Sequence, residues 1–181
     1  MEKTAKNIIL GITASIAIYK ACGLIRSLRG CGLAVQVVMT KEAQELIKPI
    51  VFQSLSGNRV YSAGIFEAPD TWDIAHVALA AKADLILIAP ATANIIAKLA
   101  AGICDDLLTC TVCASKAKVL IAPAMNENMY QNKITQSNIA KLKSCGYKFI
   151  APAKGLLACG TVGVGCLAET DQIIKEVKKL L

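Results

Sequence analysis

The chain has 181 residues, 55% of them hydrophobic and 4% aromatic, and carries 20 Lys+Arg against 13 Asp+Glu for a formal net charge of +7. That length predicts a single domain, residues 1–181, able to bury about 70% of its unfolded surface. So few aromatics argue against a base-stacking platform for single-stranded nucleic acid. The basic residues are also dispersed, as at Lys116, Lys118, Lys141, Lys143, Lys175, Lys178 and Lys179. Dispersion of this kind fits a solvated surface or small anionic ligands such as phosphate esters better than nucleic acid.

The eight cysteines, Cys22, Cys31, Cys104, Cys110, Cys113, Cys145, Cys159 and Cys166, sit in a chain large enough to fold without staples. Reduced thiols and a soluble, cytoplasmic protein are therefore expected. No stretch reaches about 18 uninterrupted apolar residues. The nearest, 83–103, is broken by Asp84, Pro90, Asn94 and Lys98, so no membrane partner is expected.

Apolar runs alternate with helical periodicity along the chain, the pattern of an α/β fold: a Rossmann-like or flavodoxin-like three-layer sandwich around a mainly parallel sheet. Asn7–Gly11 reads as the first strand. A helix over 15–29 follows, with Ser15 as N-cap and Ile16, Tyr19, Leu24 and Leu28 among its apolar residues. Ala34–Met39 is a second strand, followed by short helices from Lys41 and over 50–56. A mobile loop is expected around 63–72, then a short helix over 73–81. Asp84–Ala89 and Lys118–Ala122 are inner strands, with helices over 93–101 and 105–114 between them. A helix over 131–144 and a strand at Lys148–Ala151 come next. The Gly-rich segment 155–165 reads as a mobile lid, and a last helix spans about 170–180 with Thr170 or Asp171 near its N-cap.

Several groupings could carry chemistry. Pro123-Ala124-Met125-Asn126 follows the buried run Val119–Ala122, and open α/β sheets bind ligands outside the carboxyl ends of such strands. An Asn there offers a donor and an acceptor. Gly11-Ile-Thr-Ala-Ser15-Ile-Ala joins a strand to a helix. It reads either as an anion-binding turn or as an ordinary βα turn, and it has neither the G-x-G-x-x-G spacing nor a P-loop Lys. Ala89-Pro90-Ala91-Thr92-Ala93-Asn94 repeats the arrangement after another strand. His76 is the single histidine; imidazole as a group suits proton transfer at neutral pH, although a lone His is more often a surface or core residue than a catalyst. Cys159, in Leu157-Ala158-Cys159-Gly160, is either an acid or nucleophile on a lid or a structural Cys. Cys110-x-x-Cys113 has no second pair of ligands at metal-site spacing. Both cysteines read as small helix hydrophobes, and no metal is expected.

In order along the chain, Ala14-Ser-Ile-Ala-Ile-Tyr-Lys20, His76 before Val-Ala-Leu, Ala89-Pro-Ala-Thr-Ala-Asn94, Gly102-Ile-Cys-Asp-Asp-Leu-Leu108, Pro123-Ala-Met-Asn126 and Ala158-Cys-Gly160 resemble the phosphopantothenoylcysteine decarboxylase family, the homo-oligomeric flavin-containing Cys decarboxylases. The resemblance runs from Ile9 to about Glu169. Two positions differ from the family pattern: Ile95 stands where a hydroxyl residue is usual, and Cys166-Leu167 where Arg-Met or Ala-Met is.

The resemblance implies FMN as cofactor, held by Gly11, Ala14, Ser15, Ile16, Thr40, Thr92, Ala93, Asn94, Ala124 and Met125. It implies substrate contacts from Asn126, Met129, Leu157 and Ala158. The implied reaction converts 4′-phospho-N-pantothenoylcysteine to 4′-phosphopantetheine in coenzyme A biosynthesis, by thiol oxidation to a thioaldehyde, CO2 loss and reduction of the enethiol. His76 would be the base, Asn126 would orient the carboxylate, and Cys159 would donate a proton. Homotrimers or homododecamers, with active sites between subunits, are implied as well. Many bacterial relatives continue into a synthetase domain that makes the substrate; none falls within 1–181, so a separate synthetase or a longer parent protein is expected. Alternatives inside the same superfamily are an FMN prenyltransferase, a peptidyl-cysteine decarboxylase and a flavin-binding regulatory subunit.

Overall fold

The computed structural model describes residues 5–62 and 74–181. Five strands, β1 (Asn7–Ile12), β2 (Ala34–Met39), β3 (Leu85–Ala91), β4 (Lys118–Pro123) and β5 (Lys148–Phe149), form one parallel sheet in the order β2-β1-β3-β4-β5. The inner strands read as unbroken apolar runs because both faces are covered. Alternate residues serve opposite layers. Leu85, Leu87 and Ala89 join one core with Leu24, Leu28 and Val177, whereas Ile86, Ile88 and Ala91 join the other with Ile96, Leu108 and Leu142.

The first layer contains α1 (Lys20–Gly30), α2 (Ala43–Leu46), α3 (Pro49–Ser56) and α9 (Thr170–Leu180). The second contains α4 (Ala75–Lys82), α5 (Ala93–Ala101), α6 (Leu107–Ala114) and α8 (Lys133–Ser144). The three-layer α/β arrangement expected from the sequence is thus present. The strand order reverses direction between β1 and β3, and sheets of this kind receive ligands outside the carboxyl ends at that switch point.

Several local expectations are corrected. The chain after Ser15 first makes a 3-10 turn, Ile16–Tyr19, and only then α1; Ser15 caps that turn. Of the apolar residues expected on that helix, Leu24 and Leu28 are buried, whereas Ile16 and Tyr19 are 64% and 63% exposed. A five-residue helix, α7 (Glu127–Gln131), precedes α8. Asn132, extended in backbone, ends one and caps the other through Ile134. The N-cap of α9 is Glu169, with no side-chain cap bond. Residues 155–165 are not one irregular segment. They belong to an antiparallel hairpin of β6 (Ala153–Leu156) and β7 (Val162–Cys166). Its tip is closed by Leu157 N–H to the Thr161 carbonyl (2.8 Å) and Gly160 N–H to the Leu157 carbonyl (2.9 Å). The loop expected at 63–72 lies outside the described residues. Among the described residues no helix is long and apolar enough to cross a membrane.

At the amino ends of the strands, Asp84 receives the Lys6 ammonium at 2.7 Å and the Asn7 N–H at 2.8 Å. The hydrogen bond from Lys6 holds this carboxyl below its usual range. A carboxyl depressed in the folded state stabilises the fold above its unfolded pKa, and the contribution is lost as pH falls through the lowered folded value. Asp84→Asn is expected to lower the melting temperature modestly at neutral pH, where the contribution is full, and to converge with wild type in acid, which flattens the acid limb. The loss is small because the pair is partly exposed. An acid limb as steep as wild type would contradict this.

Candidate active site

Three βα turns meet at the carboxyl ends of β1, β3 and β4, and two hydroxyls tie them together. Thr13, 2% exposed, donates to the Pro90 carbonyl (2.7 Å) and accepts the Thr92 N–H (3.0 Å). Ser15 donates to the Ala124 carbonyl (3.0 Å) and accepts the Ala17 N–H (3.3 Å). A buried polar group left without such a partner costs about 1–3 kcal/mol. Ser15 is therefore a knot between turns, its hydroxyl proton already committed. Thr92 caps α5 by accepting the Ile95 N–H. This leaves the Ala93 and Asn94 amides, which the helix itself cannot use, open at a positive helix end.

A cleft of about 800 Å3 lies over these turns. Its wall takes Ala14, Ser15 and Ile16 from the first turn, Thr92 and Ala93 from the second, and Ala124, Met125 and Asn126 from the third. Met129 of α7 joins them, with Leu157, Ala158 and Cys159 from the hairpin tip. A recess of about 290 Å3 shares Ala14, Thr92 and Met129 with it and adds Thr40 and Asn94. The fold thus gathers most of the predicted residues around one space.

Two predicted residues stand apart. Gly11 is buried within β1, where an added Cβ would fall 2.6 Å from Leu108 Cδ1; its place is in packing α6 onto the sheet, not on the cleft wall. His76 lies on α4 and lines neither space. Its Nδ1 is buried without a hydrogen-bond partner among the described residues. Neighbouring Asp73 falls outside those residues.

The third turn settles how Asn126 is presented. Its Oδ1 caps α7 by accepting the Asn128 N–H at 2.9 Å. Its amide nitrogen is thereby turned outward, 3.8 Å from Cys159 Sγ. Cys159 Sγ also lies 3.2 Å from the Thr161 hydroxyl. That hydroxyl first, then the Thr161 amide, holds the thiol below the ordinary cysteine value, with Asn126 adding to the effect. These donors stabilise the thiolate, so the thiol is a stronger acid.

Two lysines among the described residues lie at the cleft and recess. Lys98, on the recess wall, is taken up by Asp105 (2.8 Å) and Asp106 (3.3 Å), and the bond to Asp105 chiefly raises its pKa. Among the described residues, Lys20 is the one charged side chain on the wall of the larger cleft, 3.5 Å from the Glu169 carboxylate. The sequence reading gave no role to Thr13, Lys20 or Thr161. The available signals were a hydroxyl between a strand end and an N-cap, a Lys closing the first-turn motif, and a hydroxyl two positions after Cys159.

The chain matches the flavoprotein family across residues 1–181. It belongs to that family. This flavoprotein is 47% identical over 178 residues to the probable phosphopantothenoylcysteine decarboxylase of Streptococcus mutans, covering 97% of this chain and 99% of the relative. It is 46% identical over 174 residues to the coenzyme A biosynthesis bifunctional protein CoaBC of Bacillus subtilis, covering 96% of this chain and 43% of the relative. The chain therefore spans less than half the length of that bifunctional relative. Among solved structures it is similar to a PPC decarboxylase mutant complexed with pantothenoylaminoethenethiol, with a TM-score of 0.86 and 28% identity over 97% of each chain. The FMN-dependent cysteine decarboxylase SpaF gives 0.84 and 32% over 94% of each.

Thr161→Val removes the leading cause of the depressed Cys159 pKa. The pH midpoint of Cys159 alkylation by iodoacetamide, read by peptide mass spectrometry, is expected to rise, so alkylation at neutral pH slows. An unmoved midpoint would show that Thr161 does not tune this thiol.

Proposed function

We propose that this flavoprotein decarboxylates 4′-phospho-N-pantothenoylcysteine to 4′-phosphopantetheine with FMN as cofactor. The observation that carries the reading is the Asn126–Cys159 pair, with the amide nitrogen 3.8 Å from Sγ at the edge of a cleft built on three βα turns.

The residues present suit FMN. The open amides of Ala93 and Asn94, with Thr40 and Thr92 beside them, match a phosphate and hydroxylated chain. Ala14, Ile16, Ala124 and Met125 offer an apolar surface for a planar ring. When bound, FMN would supply the two-electron sink and source that loss of CO2 from a cysteine carboxylate requires.

The protein's own groups have separate tasks. Asn126 directs a donor into the cleft because its oxygen is held by the helix cap, and a donor is what a substrate carboxylate needs. Cys159, an acid strengthened by Thr161, would deliver a proton to the substrate carbon at the end of the reaction. Leu157 and Ala158 on the hairpin tip would exclude water from it. Lys20 would attract the phosphate. The names of the bifunctional relatives support a synthetase as the source of substrate, on the same polypeptide or a separate one.

His76 would act as base from a second copy of the chain, in a homotrimer or a larger assembly of trimers. Its position away from the cleft supports this. So does the set of exposed apolar residues at both places: Ile16, Tyr19, Met129 and Leu156 near the cleft, and Ile74 and Val77 beside His76. Apolar surface of this kind marks contact sites.

Turnover of 4′-phospho-N-pantothenoylcysteine by the FMN-loaded protein tests the reading, with a peptide ending in Cys as the competing substrate. Faster turnover of the peptide would overturn it. Asn126→Asp can still cap α7 but places a carboxylate before the substrate's, so CO2 release is expected to be lost. Cys159→Ser is expected to release CO2 yet stall before 4′-phosphopantetheine. Normal product from either variant, by mass spectrometry, would refute its assigned role. His76→Asn and Cys159→Ser chains, each inactive alone, should recover product formation when co-assembled; no recovery would place both groups in one subunit's site.

A further inference from the structure

Hairpin β6–β7 lies outside the main sheet, and its outer edge is held by the segment that carries Asn126. The Met125 N–H donates to the Gly165 carbonyl at 3.0 Å. Gly165 is the extra residue of a β-bulge, since Ala153 pairs with Cys166 but Lys154 with Val164. Such bulges re-aim the strand locally. One residue along, the Val164 N–H donates to the Glu127 carboxylate at 3.0 Å. The Gln131 side-chain amide donates to the same oxygen at 3.3 Å.

The two contacts require bare backbone on the hairpin. A Cβ on Gly165 would fall 2.1 Å from the Met125 carbonyl oxygen, and one on Gly163 would fall 2.5 Å from Glu127 Oε2. Glycine stands where this turn and the Glu127 side chain press closest to β7. Glu127 is the first residue of α7, and Asn126 is its N-cap. One short helix therefore points an amide at Cys159 and a carboxylate at the base of the hairpin that bears Cys159.

We infer that Glu127 is a positioning residue, stapling β7 to the Asn126 turn and so fixing where Cys159 stands over the cleft. An edge-strand N–H that would otherwise lack a partner is instead bonded to a charged acceptor, the stronger kind of hydrogen bond. Asn126 and Cys159 then keep their spacing without a direct bond of normal length, and the tip residues 157–161 are carried on a fixed stem. The catalytic consequence rests on the function proposed above; the staple itself does not.

Amide exchange at Val164, followed by mass spectrometry of peptides covering 162–166 in the assembled protein, tests the staple. Glu127→Ala is expected to speed that exchange by about tenfold or more, while Glu127→Gln, which keeps an oxygen acceptor, stays within about threefold of wild type. Gly163→Ala should loosen the hairpin as well, by pushing the carboxylate away, and it carries the test if Glu127→Ala fails to fold. In turnover, Glu127→Ala should raise KM by more than it lowers kcat, with Glu127→Gln restoring both. Unchanged Val164 exchange in both alanine variants would overturn the staple. Faster exchange with unaltered KM would overturn the positioning role. Absence of turnover in the wild type, with exchange as expected, would reject the proposed function and leave the staple standing.

Discussion

The site depends on the Thr13 hydroxyl. Parallel strands end with their βα turns side by side. Backbone bonds from Thr40 N–H to the Ile12 carbonyl and from Ala124 N–H to the Ala91 carbonyl tie β2 to β1 and β4 to β3, but the β1–β3 ladder stops at Gly11 and Ile88. Thr13 bridges that gap at the point where the strand order reverses, giving its proton to the β3 end and taking an amide from the start of α5. Ser15 repeats the device toward β4. Because both hydroxyls are buried, each bond is stronger in place and costly to leave unmade. A loosened first turn would shift the wall from Ala14 to Ile16, the capped start of α5, and the turn that presents Asn126.

The second organising element is the short helix α7. At five residues it is too short to be stable alone, and none of its residues is fully buried. Asn126 caps its start, and Asn132 ends it while capping α8. The Asn126 cap gives the amide a definite polarity, oxygen inward and nitrogen outward, which a freely rotating side chain would lack. Glu127 on the same turn reaches the hairpin. Helix stability and ligand geometry are thus served by the same residues.

The sheet was legible because its middle is buried on both faces: 8–12, 85–91 and 119–123 are apolar throughout, and 34–39 is broken only at Gln36. The strands of the 153–166 hairpin were not legible because glycines suggest mobility rather than pairing. In the structure Gly163 and Gly165 mark close approach instead, which depends on a residue 36 positions away from the first of them, Glu127. Ile16 and Tyr19 fit helical periodicity yet face outward, since a 3-10 turn rotates side chains differently from an α-helix. The motif around His76 was visible, but no local pattern says which space a helix residue faces, and His76 lines neither the cleft nor the recess. Thr161 had no periodic or motif signal beyond its nearness to Cys159.

The hairpin stem also enters the main core, where Leu167 and Ala168 are buried with residues of α1 and α9. Only the tip between Leu156 and Val162 is left to rearrange around a substrate. Ordering a loop that short carries a small entropic cost, because closure entropy grows with the number of free residues. Substrate admission can therefore be gated by a handful of backbone torsions at 157–161, on the timescale of loop motion rather than of domain closure.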